Sequence, residues 1–111
     1  MRTIHLLLVV TLCFVRGATA QSQIGQDIDG GAAGDYSGFS VSFSADGNRV
    51  AIGAPQRWGR SPSGFPGHVS IYEWSGNSWV QLGQDIDGEA AENRSGWSVS
   101  LSADGNRVAC L

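Results

Sequence analysis

Apolar and hydroxyl side chains alternate without a break from residue 39 to residue 44: Phe39, Val41 and Phe43 stand on one side, Ser40, Ser42 and Ser44 on the other. A period of two belongs to an extended chain, so this stretch predicts a β-strand with its apolar face on a core. Asp46-Gly47 follows. Gly accepts the positive φ of a tight hairpin and Asp bonds its own following backbone, so the pair predicts a turn. Arg49-Val50-Ala51-Ile52 then runs back as the second strand. Further on, His68–Trp74 and Ser78–Leu82 are β-rich runs separated by Ser75-Gly76-Asn77. They predict a second hairpin, with Trp74 and Trp79 facing each other across the strands and fixing its register. Short alternations, many Gly and Ser, and no helical stripe predict an all-β chain.

The first hairpin is written twice. Residues 25–51 (GQDIDGGAAGDYSGFSVSFSADGNRVA) return as residues 83–109 (GQDIDGEAAENRSGWSVSLSADGNRVA), identical at 21 of 27 positions with a constant offset of 58. Where the copies differ inside the strands, apolar replaces apolar: Phe39 becomes Trp97 and Phe43 becomes Leu101. Four strands per 58 residues is a unit the size of a β-propeller blade, and a repeat period of tens of residues is the signature of such arrays. The predicted fold is therefore antiparallel four-stranded propeller blades, about one and a half of them, beginning at residues 25 and 83. A closed ring of such units needs on the order of 230 to 460 residues, so an incomplete, truncated propeller is expected.

Ser37-Gly38-Phe39-Ser40-Val41, followed by Gly53-Ala54-Pro55, resembles the FG-GAP repeat of the propeller heads of integrin alpha chains. The likeness covers about 27 residues of each copy. It departs from the motif in having Ser37 and Ser95 in place of the leading Phe, and the second copy ends Val108-Ala109-Cys110-Leu111 without Gly-Ala-Pro. The resemblance implies propeller blades working in extracellular binding or adhesion.

The first twenty residues carry Arg2, an apolar run from Leu6 to Val15 and the small-x-small Ala18-Thr19-Ala20. This is the pattern of a cleaved secretory signal peptide, leaving 21–111 as the mature, secreted chain without membrane insertion. Of the seven basic residues, all Arg, two lie in that leader, so five face the ten carboxylates beyond it. A lysine-free acidic surface disfavours nucleic acid and anionic membranes as partners. Cys110 is the one cysteine outside the leader, and an incomplete chain explains it better than an intermolecular bridge.

The chemistry is sparse. Calcium loops of integrin-type repeats follow Asp-x-Asp-x-Asp-Gly-x-x-Asp, and laying that pattern on Asp46-Gly47 puts Ser42, Ser44 and Val50 where carboxylates belong. A hard cation wants six or more oxygens, so no calcium site is assigned at Asp46 or Asp104. Asp27 and Asp29, with Asp35, return as Asp85 and Asp87, with Glu89 and Glu92. These read as solvated turns between blades; a cation site, or a carboxylate pair as in glycosidases, is the alternative. His68 is the one histidine beyond the leader and no Gly-x-Ser-x-Gly elbow accompanies it, so a triad hydrolase is not expected.

The loop from Pro55 to Gly67 joins the two hairpins, and in it Trp58 stands close to Arg57 and Arg60. Stacking area beside forked donors suits a sugar or an acidic peptide, which makes Arg57, Trp58 and Arg60 the expected ligand-binding residues. Asn93-Arg94-Ser95 is a glycosylation sequon. The expected function is a secreted, non-enzymatic propeller segment without a cofactor. It would bind an extracellular protein or carbohydrate and could self-associate through exposed sheet edges. Two alternatives stand beside it: the propeller portion of a carbohydrate-active enzyme, and a calcium-dependent lectin-like module.

Overall fold

A computed structural model of the chain describes residues 22–55, 66–90 and 93–111. The leader assigned to residues 1–20 lies outside them. All regular structure among the described residues is β, in the order β1 Ser40–Phe43, β2 Arg49–Ala54, β3 His68–Trp74, β4 Trp79–Gln81, β5 Ile86–Asp87, β6 Val99–Leu101 and β7 Val108–Cys110. Every strand pairing is antiparallel. The first five strands make one sheet and β6–β7 a second, and among the described residues the sheets do not close into a ring.

The repeated octet is the turn and return strand of a hairpin in both copies. Ser44 N donates to Arg49 O and Gly47 N to Ser44 O, with Gly47 at φ 73°. The second copy does the same with Ser102, Arg107 and Gly105, the last at φ 74°. A side chain at either glycine would force an L-residue into the left-handed region, which is why the sequence holds Gly there.

β1, β2 and β3 form a meander, and the outer edge of β3 is filled by two short pieces. Tyr72–Trp74 pairs with β4, while His68 and Val69 pair with Asp87 and Ile86 of β5. Leu82 N still donates to Ile71 O between them, so β4 and β5 are one outer strand interrupted at its middle. Trp74 stands directly opposite Trp79, as the sequence predicts, with ring centroids 5.3 Å apart.

The direction of the core corrects one expectation. Val41 and Phe43 were expected to be the buried side of β1, yet they are 57% and 56% exposed. Ser40 and Ser42 face inward instead, on the side of Ala51, Gly53, Val69 and Ile71, and against that side lies the second hairpin. The core is formed by Ala51, Val69 and Leu101, with Ile71, Val99, Val108 and Cys110 packed around it. The reason is spatial: with Ser, Ala and Gly on one face of β1–β2, the neighbouring hairpin approaches closely enough for backbone contact. At Gly53 a Cβ would run into Gly96 O and Ser40 Oγ.

Candidate functional site

The two copies meet through different faces of the same repeated hairpin. Ser40 Oγ donates to Gly96 O at 2.8 Å, and Leu101 N donates to Ser42 Oγ at 2.9 Å. Ala45 N donates to Ala103 O at 2.9 Å, one copy's residue bonding its own counterpart. Arg49 closes the far end, donating to Gly105 O at 3.0 Å and to Asn106 Oδ1 at 2.8 Å while its other nitrogen lies 3.6 Å from Glu73. Charge-assisted bonds from one guanidinium to two acceptors hold orientation better than a single contact would.

The turn carboxylates are occupied by their own hairpins. Asp46 Oδ1 accepts from Ser44 Oγ at 2.7 Å and from Asn48 N at 2.9 Å; Asp104 accepts from Ser102 Oγ at 2.6 Å and Asn106 N at 3.0 Å. These donors favour the ionised form and hold both carboxyls below the usual aspartate range, the Asn48 backbone N–H leading at Asp46 and the Ser102 hydroxyl at Asp104. Both carboxylates staple the turns of their own hairpins.

Of the five other aspartates, Asp35 accepts from Ala32 N at 3.1 Å within its own turn, and the repeated pairs Asp27/Asp29 and Asp85/Asp87 do not converge. Asp27 and Asp29 line an open cleft of about 340 Å³ with Tyr72, Asn77, Ser78 and Trp79. Asp87 lines a different cleft of about 470 Å³, beside Glu89, Asn93 and Cys110. Asp27 accepts from Gln23 Nε2 at 2.7 Å, and Asp85 from Gln81 Nε2 at 2.6 Å, the same bond in each copy. Asp85 also lies 3.9 Å from His68 Nε2, beyond hydrogen-bond reach. Among the described residues no group of three or more His, Cys, Asp or Glu could hold a metal ion. One of the expected turns is partly strand: Ile86-Asp87 adds to the edge of β3. The strand is not legible in the sequence because two residues show no period, and the cleft lining by Tyr72 and Trp79 is signalled only by their place on one face of adjacent strands.

Arg57, Trp58 and Arg60 lie outside the described residues. The base that carries their loop is described. Ala54 and His68 pair in register across β2 and β3, and Pro55 is fully buried. At the other side Ser95 N donates to Pro66 O at 2.8 Å and Gly88 N to Gly67 O at 3.0 Å, while Gly67 and Ser95 form a parallel bridge. Ala54 is therefore held by its pairing with His68, and Pro66 and Gly67 by backbone bonds from the second copy. Asn93 is exposed, its backbone N–H bonded to Ala90 O, and Arg94 beside it takes φ 52°. Comparison of the chain with protein families, with curated proteins and with solved structures finds no match in any of the three.

Proposed function

We propose that this chain is a secreted, non-enzymatic binding scaffold built from propeller-type repeats of the FG-GAP kind, presenting the 55–67 loop to an extracellular protein or carbohydrate. The observation that carries the reading is the clamp at the base of that loop. Backbone bonds from Ser95 and Gly88 of the second copy hold Pro66 and Gly67 at one end of a long connection, and the pairing of Ala54 with His68 holds the other. Recognition is concentrated on loops held by rigid frames, and an aromatic between two guanidiniums is suited to sugar faces and acidic groups. The leader pattern and the exposed Asn93 sequon agree with an extracellular setting.

The test is to express the full chain in a secreting eukaryotic host and apply the secreted product to glycan and extracellular-protein arrays, beside a triple variant Arg57→Ala, Trp58→Ala, Arg60→Ala. Binding by the parent that the triple variant loses is expected. Retention of the chain inside the cell, or equal binding by both proteins, would end the proposal.

A further inference from the structure

The contact between the two copies uses one face of each, and each copy has a second face that repeats the partner's half of that contact. The first copy contributes Ser40, Ser42, Ala45 and Arg49; their counterparts Ser98, Ser100, Ala103 and Arg107 lie on the outward side of the second hairpin. The second copy contributes Gly96 O, Leu101 N, Ala103 O, Gly105 O and Asn106 Oδ1. The matching groups on the first copy are Gly38 O, Phe43 N, Ala45 O, Gly47 O and Asn48 Oδ1. The apolar part repeats in its covered half alone, because Val69 and Ile71 of β3, which line the covering half of the internal contact, have no counterparts in the β6–β7 hairpin. Val99 and Leu101 are seated on the core, whereas Val41 and Phe43, in the same places of the first copy, are more than half exposed.

We propose that the chain assembles head to tail with further copies of itself, the outer face of the β6–β7 hairpin of one molecule seating on the Val41–Phe43 face of the next. The occupant is specified by the molecule's own interior: a hairpin carrying the same serine hydroxyls and arginine already meets this kind of face once within each chain. Phe43 N of one chain donates to Ser100 Oγ of the other, Ser98 Oγ to Gly38 O, and Arg107 reaches Gly47 O and Asn48, each repeating a bond made inside the monomer. Because the two surfaces differ, the contact is heterologous and adds chains in one direction, giving a ring if the rotation closes and an open filament if it does not. One corner departs from the internal pattern. Leu111 stands where the first copy has Gly53, at which a Cβ would run into the neighbouring glycine carbonyl. The contact between molecules is therefore looser at that corner than the contact within them. Assembly through these faces does not depend on what the 55–67 loop binds.

Sedimentation of the full chain decides it. The parent is expected to associate increasingly with concentration, while Phe43→Glu and Ser100→Glu, each altering an exposed position on opposite faces, are each expected to remain monomeric. An equimolar mixture of the two variants then has one intact pair of surfaces and is expected to form a one-to-one dimer and stop there. Val41→Lys repeats the Phe43 arm, and circular dichroism checks that each variant keeps its β spectrum. Leu111→Gly is expected to tighten association about tenfold, roughly the worth of relieving one tight contact. A parent that stays monomeric into the high micromolar range overturns the proposal. So does a mixture of correctly folded variants that fails to pair, or a Phe43→Glu chain that associates like the parent.

Discussion

Phe39 and Trp97 hold the same position in the two copies and pack against each other, their ring centroids 4.7 Å apart and their planes inclined by 43°. A residue touching its own counterpart is the mark of copies related by a small displacement rather than by a swap of partners. Tilted ring pairs of this kind contribute about 0.5–1.5 kcal/mol beyond the area they cover. A double-mutant cycle with Phe39→Leu and Trp97→Leu, followed by urea denaturation, is expected to return a coupling energy in that range. Strict additivity would show that the rings only lie near one another.

Leu101 and Phe43 are also counterparts, and their fates differ. Leu101 is 9% exposed in the core and Phe43 is 56% exposed. Leu101→Ala is expected to destabilise by about 2–5 kcal/mol through transfer and cavity terms. Phe43→Ala removes more carbon and is expected to cost only about 1 kcal/mol in dilute solution, the scale of its ring contact with Trp79. Equal losses in chemical denaturation would contradict the inward placement of Ser42.

Gly53→Ala puts a methyl group against Gly96 O and Ser40 Oγ, both at the seam between copies. Overfilling a tight contact typically costs about 1–3 kcal/mol. The expected outcome is a hairpin pushed off its seat, seen as faster amide exchange in β6 and β7 with β2–β3 unchanged. Uniform loss of protection throughout would mean that the copies unfold only as one unit.

Acid should loosen the hairpin turns. Asp46 and Asp104 have folded pKa values lowered from an ordinary 3.8, so the unfolded chain binds protons first as pH falls. The stabilisation is present above that ordinary value and is lost as pH drops through the depressed folded ones. Both groups are exposed, so the effect is expected to be small. Thermal midpoints of the parent should fall as the solution is acidified below about pH 4, and less steeply in the Asp46→Asn, Asp104→Asn double variant. Parallel pH profiles would remove the two aspartates as the cause.

The hairpins, their turns and the Trp74–Trp79 pair were legible because each is a local matter: period two, Asp-Gly, and an aromatic on each side of a short loop. Which face of β1 lies inside was not. Alternation says that two faces differ, and the usual expectation puts the apolar one on the core, but Ser42 faces the core because the neighbouring copy fits only over small side chains. β5 escaped for a related reason. Ile86-Asp87 owes its extended form to the free edge of β3, and nothing within two residues records that their partners are Val69 and His68, far upstream. For the site, the sequence could name Arg57, Trp58 and Arg60 by chemistry, but the clamp beneath them joins residues 66–67 to residues 88 and 95, a relationship of backbone bonds that side-chain identity does not encode.

That short strand also means that the boundary read from letters and the boundary read from hydrogen bonds fall in different places. The letters start a new copy at Gly83, yet Ile86 and Asp87 complete the sheet of the old one, so the units overlap as roof shingles do. Cutting the gene at residue 82 would strip the border from one unit and leave the next with an unanchored tail. Anyone transplanting, lengthening or shortening this array should splice beyond Gly88, where one sheet has finished and the next has not begun.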